Sequence, residues 1–167
     1  GDRSGAFPPE LPYRLVSMFS VKGDVVLDPF LGTGTTLFAA MAAGRHCLGY
    51  EIDPHFGTLY RGGLEGIVGW AGERLAARLA GHRAFVQERL AQGGGFRHVN
   101  RPYGFPVMTG HETDLFLSPL QSVTIRSTTR FEAAYAEVPP ASCDAAEASP
   151  PPSPAPAGGP RQRRLFD

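Results

Sequence analysis

Apolar side chains at positions 11, 15, 18 and 19 recur at helical spacing. Pro8 and Pro9 suit a helix entry and Gly23 can end one, so the pattern predicts a helix from Pro8 to about Val21. Val25, Val26 and Leu27 then form a short apolar run that ends on Asp28 and is broken by Pro29, which reads as a buried strand. A second helix is expected from Thr35 or Thr36 to Ala43, with Gly44 as its stop. "HCLGYEID", residues 46–53, reads as a second strand ending in acid, and Asp53 before Pro54 suits the N-cap of a further helix. This order implies a parallel strand pair joined by a right-handed crossover.

Residues 54–92 carry a helical stripe of Leu64, Ile67, Val68, Ala71, Leu75 and Leu79, with an interruption expected near Gly62-Gly63. "QGGGF" at 92–96 breaks the helix, and the β-branched residues of "FPVMTG" and "SVTIRSTTRF" predict a strand or hairpin extension. From Pro139 to Pro160 the chain is almost wholly Pro, Ala, Ser and Gly, which buries too little apolar surface to fold and predicts a disordered linker. The expectation is an α/β class with a partial sheet. It divides into an α/β part at 1–95, a β-rich extension at 96–138, and a linker with a C-terminal peptide at 139–167.

The 167 residues suffice for one domain with a core. Sixteen basic and sixteen acidic residues cancel, so no global field draws the chain to nucleic acid or membrane. Any DNA contact must come from a local patch or from sequence outside this chain. No apolar run is long enough to span a bilayer, and no signal-peptide pattern opens the chain. Cys47 lies in an apolar stretch and Cys143 in the Pro/Ala/Ser tail, a usage that fits a reducing cytoplasm. The chain opens on Gly1, which suggests a fragment with an upstream part missing. His46 and His55 lack partners at metal spacing. Trp70 reads as core, and Arg126 and Arg130 as a solvated strand face.

Chemistry concentrates in "VVLDPFLGTGTT", residues 25–36. A dinucleotide fingerprint would need a third glycine where Leu37 stands, and a phosphate-cradling loop would need a lysine after the glycines. Two carboxylates at adjacent strand ends, Asp28 and Glu51, would repel a polyphosphate but suit a ligand with a cationic group and a ribose diol. S-adenosylmethionine is such a ligand, and glycines let it lie close against the turn. Plainer roles are open too. Asp28 and Glu51 can cap strand ends, Phe7 can staple the first helix, and Thr33, Thr35 and Thr36 can cap the second.

Three motifs in order, "AFPPEL", "DPFLGTGTT" and "GYEID", make residues 7–53 resemble the cofactor half of the DNA amino-methyltransferases, in the permuted group whose catalytic segments come earlier in the chain. The resemblance implies a Rossmann-like S-adenosylmethionine-dependent methyltransferase fold. It also implies methyl transfer to the exocyclic amino group of adenine or cytosine, as in restriction-modification systems. Carried over, Phe7 packs against the cofactor, and Asp28, Pro29, Phe30, Gly32, Thr33, Gly34 and Thr35 line its methionine end. Glu51 then binds the ribose hydroxyls, with Ile52 or Tyr50 beside the adenine.

Two departures stand out. Arg3 and Ser4 occupy slots where many relatives carry His-Pro. The family's catalytic motif, an acid, Asn or Ser before Pro-Pro-aromatic, is absent; "SPPP" at 149–152 has proline in the aromatic slot, so no catalytic residue is assigned. The expected role is therefore a methyl-donor site for DNA methylation, inactive alone. The alternatives are a separate cofactor-binding subunit of a split enzyme, or a methyltransferase for RNA or small molecules. Finally, Gln162, Leu165 and Phe166 in "QRRLF" resemble the short motif by which bacterial DNA-processing enzymes dock on the replication sliding clamp.

Overall fold

The computed structural model describes residues 7–137. The expected linker and the clamp-motif residues Gln162, Leu165 and Phe166 lie outside the described residues, as do Arg3 and Ser4.

Helix α1 spans Glu10–Phe19, starting two residues after Pro8 and stopping at Ser20, which is already extended. It buries Pro12 and Val16. Glu10 in its first turn binds Arg14 at 3.1 Å and reaches Arg74 at 2.9 Å, and these guanidinium groups hold its carboxyl below the usual carboxylate range. Strand β1 (Val25–Asp28) pairs in parallel with β2 (His46–Gly49), with Val25 opposite His46 and Asp28 opposite Gly49. Helix α2 (Thr35–Ala42) links them. Gly44, at φ 74°, turns the chain out of α2 into β2, a conformation that glycine adopts without steric cost.

Helix α3 covers Phe56–Glu65 and α4 covers Ile67–Ala91. The break falls at Gly66, not at the expected Gly62-Gly63, which stay inside α3. Packing explains this. A Cβ built on Gly63 would sit 2.3 Å from the ring of Phe38, so Gly63 makes room for an α2 side chain rather than ending a helix. The second strand is also shorter than its expected span of 46–53, because the ladder ends at Gly49. Beyond it the chain stays bound to the β1 side through Tyr50 N–H to the Asp28 carbonyl at 3.0 Å and Leu31 N–H to the Tyr50 carbonyl at 2.8 Å.

After α4, β3 (His98–Val99) pairs antiparallel with β4 (Pro106–Val107). Their turn is organised by Asn100, only 2% exposed, whose amide donates to the Glu112 and Leu115 carbonyls and accepts from Tyr103 N–H. A hairpin of β5 (Leu120–Ile125) and β6 (Phe131–Tyr135) completes the described chain. The fold is thus α/β, with three separate two-stranded sheets among the described residues rather than one continuous sheet. One core joins Leu37 and Met41 of α2, Leu64 of α3, Ile67 and Ala71 of α4, and Leu120 of β5. Tyr135 fastens the hairpin to α2 by donating to the Met41 carbonyl at 2.7 Å, and burial pushes its phenol up to about 12. Among the described residues, no helix is long and apolar enough to cross a membrane.

Two adjacent glycines give opposite expectations. Gly63→Ala should overpack against Phe38 and lower stability by about 1–3 kcal/mol. Gly62 has open space at its Cβ position, so Gly62→Ala should be neutral or raise stability by up to about 1 kcal/mol. Urea denaturation midpoints compare the two.

Candidate functional site

The site forms where β1 and β2 end side by side, because the parallel register sets Asp28 opposite Gly49. Asp28 Oδ1 accepts Phe30 N–H at 3.0 Å, which turns the chain sharply out of the strand at Pro29. The loop then runs through Gly32 at φ 54° and Gly34 at φ 83°. Gly34 is fixed by more than its dihedral: a Cβ there would sit 2.9 Å from the Tyr60 ring. Gly32 presents open space instead, its nearest neighbour being the Phe30 carbonyl at 3.8 Å.

Glu51 holds this loop in place. Its Oε2 accepts Gly32 N–H at 2.7 Å, and its Oε1 accepts Asp53 N–H at 2.9 Å. Both bonds are charge-assisted, and each oxygen retains acceptor capacity for a ligand hydroxyl. From the other side, Tyr60 of α3 donates its hydroxyl to the Gly32 carbonyl at 3.0 Å. Burial, followed by the nearby Glu51 and Asp28 charges, raises the Tyr60 pKa, so the phenol is a donor throughout the neutral range. Gly32 is therefore gripped at both ends of its residue.

Thr33 and Thr35 hydroxyls lie 3.1 Å apart and bond to one another. Neither caps α2, whose N-cap is Gly34 without a side-chain cap bond. Asp53 likewise does not cap α3 directly: it accepts His55 N–H at 2.9 Å, and the helix begins at Phe56 behind His55. The structure brings Asp28, Pro29, Phe30, Gly32, Thr33, Gly34, Thr35 and Glu51 into one loop cluster. Phe30, Tyr50 and Ile52 leave apolar surface exposed at this loop cluster and its flanks, Ile52 almost completely at 98%, and Phe7, ahead of α1, is 44% exposed. None of these four belongs to the core cluster.

A cavity of about 490 Å³ adjoins Glu51, lined by Tyr50, Asp53 and Tyr60 and closed by Thr128 and Arg130 from the β5–β6 turn and by Phe131 at the start of β6. Sequence reading missed the Tyr60 and hairpin contributions. Tyr60 stacks edge-on to Phe131 at 6.3 Å, a contact between segments some seventy positions apart that no local pattern announces. Arg130 pairs with Glu132 at 3.2 Å, as expected of a solvated strand face, yet it also borders this cavity. Among the described residues, no group of three His, Cys, Asp or Glu side chains could hold a metal ion.

The geometry can be set beside known proteins. The family model described as DNA methylase matches residues 4–60. Type II methyltransferase M.MthZI of Methanothermobacter thermautotrophicus is 38% identical over 138 residues, covering 83% of this chain and 38% of that protein. Type II methyltransferase M.MjaI of Methanocaldococcus jannaschii is 61% identical over 51 residues, 30% of this chain and 17% of its own length. A Thermus thermophilus chain classed as a DNA modification methylase, solved with S-adenosyl-L-methionine, is 62% identical across 32% of this chain and 22% of its own, with a TM-score of 0.31. The chain spans well under half the length of these relatives.

Cys47 tests the electrostatics at the floor of the site. Burial, then the Asp28 charge, pushes its thiol up to about 11, so it stays protonated near neutrality. In a Cys143→Ser background, reaction of Cys47 with a disulfide reagent should be slow at neutral pH and rise toward a midpoint near pH 11. A midpoint at the ordinary thiol value would contradict this environment.

Proposed function

We propose that this chain, whose residues 4–60 match the family model described as DNA methylase, supplies the S-adenosylmethionine-binding part of a DNA amino-methyltransferase. The observation that carries the reading is the Glu51 carboxylate, locked by Gly32 N–H and Asp53 N–H at the strand end. It is pre-oriented for two vicinal hydroxyls. Asp28 beside it adds a second negative charge, so the cleft favours a cationic ligand bearing a ribose over a polyphosphate.

In this reading the sulfonium of the bound cofactor supplies the methyl group, and this chain's residues bind and orient it. Glu51 holds the ribose. Gly32 and Gly34 admit the methionine end close to backbone, with Asp28, Pro29, Phe30, Thr33 and Thr35 around it. Phe7 and Ile52 provide apolar surface for the rest. The acceptor is the exocyclic amino group of adenine or cytosine in DNA, and the enzyme works in the cytoplasm. The base-gripping Pro-Pro-aromatic motif is not in these 167 residues, so base flipping and in-line positioning belong to the remainder of a longer methylase.

Isothermal titration of the chain with S-adenosylhomocysteine tests the site. Glu51→Ala should weaken binding by about 1.5–3 kcal/mol, roughly 10- to 150-fold, with the melting temperature recorded to separate ligand loss from loop loss. Tighter binding of NAD than of S-adenosylhomocysteine would overturn the assignment.

A tether to replicating DNA is a separate proposal, resting on Gln162, Leu165 and Phe166 at the end of a Pro/Ala/Ser-rich stretch. Two large apolar residues would fill a pocket on a sliding clamp while the linker lets the enzyme search nearby DNA. A peptide of residues 160–167 should bind a bacterial clamp weakly, and Leu165→Ala with Phe166→Ala should abolish it. Absence of binding at high micromolar clamp removes the tether.

A further inference from the structure

A second polar site lies at the other end of the strand pair from Glu51. The parallel register sets Val25 opposite His46, so the residues just before β1 and β2 also come side by side. The length of a four-residue strand, about 13 Å, separates that end from Asp28 and Gly49. A cavity of about 260 Å³ opens there, walled by α1, the turn before β1, the end of α2, α4 and the segment at 115–120.

Three cationic side chains line it, Lys22, Arg45 and Arg78, together with the hydroxyl-bearing Tyr13, Ser17 and Ser118. Among the described residues no carboxylate lines the cavity, and none of the three cations forms an ion pair. Asp24 is close enough to act on Arg45, but its carboxylate is engaged by Val21 N–H at 2.8 Å, and its effect is weaker than that of Arg78. Burial, then the Arg78 charge, lowers the Arg45 pKa.

Two of these cations are held in place. Arg45 donates from Nε to Ser20 Oγ at 3.0 Å and from its terminal nitrogens to the Ala43 and Ser20 carbonyls. Three of its five N–H groups thus go to neutral acceptors, which fix the guanidinium without neutralising it and leave two donors over. Lys22 lies across Gly44, its Cγ 3.4 Å from where a Cβ would stand, and its ammonium donates to Ser118 Oγ. Like charges gathered around one cavity repel one another. An anion between them removes that repulsion and occupies the spare donors.

We infer that this cavity binds the phosphate group of a small molecule, either inorganic phosphate or a phosphomonoester. Such a group carries about two negative charges and three acceptor oxygens, which match three cations and their spare donors better than a carboxylate does. The backbone of duplex DNA is the other source of phosphate. Its phosphodiesters carry a single charge each, and in the functional reading above a duplex approaches the Glu51 end of the strands, away from this cavity. Bound here, the anion fastens Arg78 of α4 and the 115–120 segment to the strand starts, within the stretch that matches the methylase family model.

Isothermal titration of the full 167-residue chain with inorganic phosphate at constant ionic strength tests this. The expected dissociation constant is about 1 mM or tighter. The amide signals of Lys22, Gly44 and Leu120 should shift, while those of Gly32 and Gly34 stay in place. Arg78→Ala and Lys22→Ala should each weaken binding at least about fivefold. Arg83→Ala, on the same helix but outside the cavity wall, should leave it unchanged. Lys22 and Arg78 are exposed, and melting temperatures check that their variants fold. If neither folds, the amide map of the unaltered chain decides. A dissociation constant above about 10 mM, an equal loss in Arg83→Ala, or shifts scattered over the surface overturns the inference. So does displacement of phosphate by a short duplex without terminal phosphates, which would make the cavity a contact for the DNA backbone. S-adenosylhomocysteine binds at the opposite strand ends in the proposed function, so its titration is read separately and the failure of either leaves the other standing.

Discussion

The carboxylate of Glu51 receiving the Gly32 amide at 2.7 Å is the interaction on which the rest of the site depends. It joins the loop after β1 to the end of β2, two segments that the strand ladder alone leaves free beyond Asp28 and Gly49. Without it the glycine loop would have to be held by its own turns, and glycines give the unfolded chain more freedom to lose. Charge assistance makes the bond strong, and its second half, to Asp53 N–H, fixes the chain that leads into α3. The same carboxylate therefore shapes the cleft and keeps acceptor capacity within it.

Around that pin, missing side chains matter as much as present ones. Gly34 lies under the Tyr60 ring, Gly49 against Leu31, and Gly63 against Phe38, each with a virtual Cβ inside contact distance. These approaches bring α2 and α3 close to the strand ends and let Tyr60 reach the Gly32 carbonyl. Small residues in this part of the chain thus convert core packing into loop geometry. A loop held this way needs little rearrangement on binding, and preorganisation lowers the cost of association.

The sheet shows the opposite economy. Among the described residues the parallel pair has one bare apolar face and two free edges, and the core instead gathers on the α2 side, where α3, α4 and β5 pack together. That asymmetry fits a chain spanning a minority of its relatives' length. The loop cluster at the strand ends is well determined locally, while among the described residues the far face and the outer edges of the parallel pair stay open.

Local chemistry was sufficient for much of this. A β-branched run ending in Asp28, a proline, two glycines and an acid at 51 defined the strand–loop–helix–strand order and the cofactor candidates, because strand length, turn chemistry and helix stops act over a few residues. Where position depended on distant packing, local reading failed. The helix break lies at Gly66 because Gly63 answers to Phe38, and β2 stops at Gly49 although apolar and acidic residues continue. Tyr60, Arg130 and Phe131 joined the site only through tertiary contacts across some seventy residues. The sequence by itself determined which groups stand at the strand ends. Which of them meet, and what remains unpaired, was decided by long-range packing, whose partners leave no mark in any local pattern.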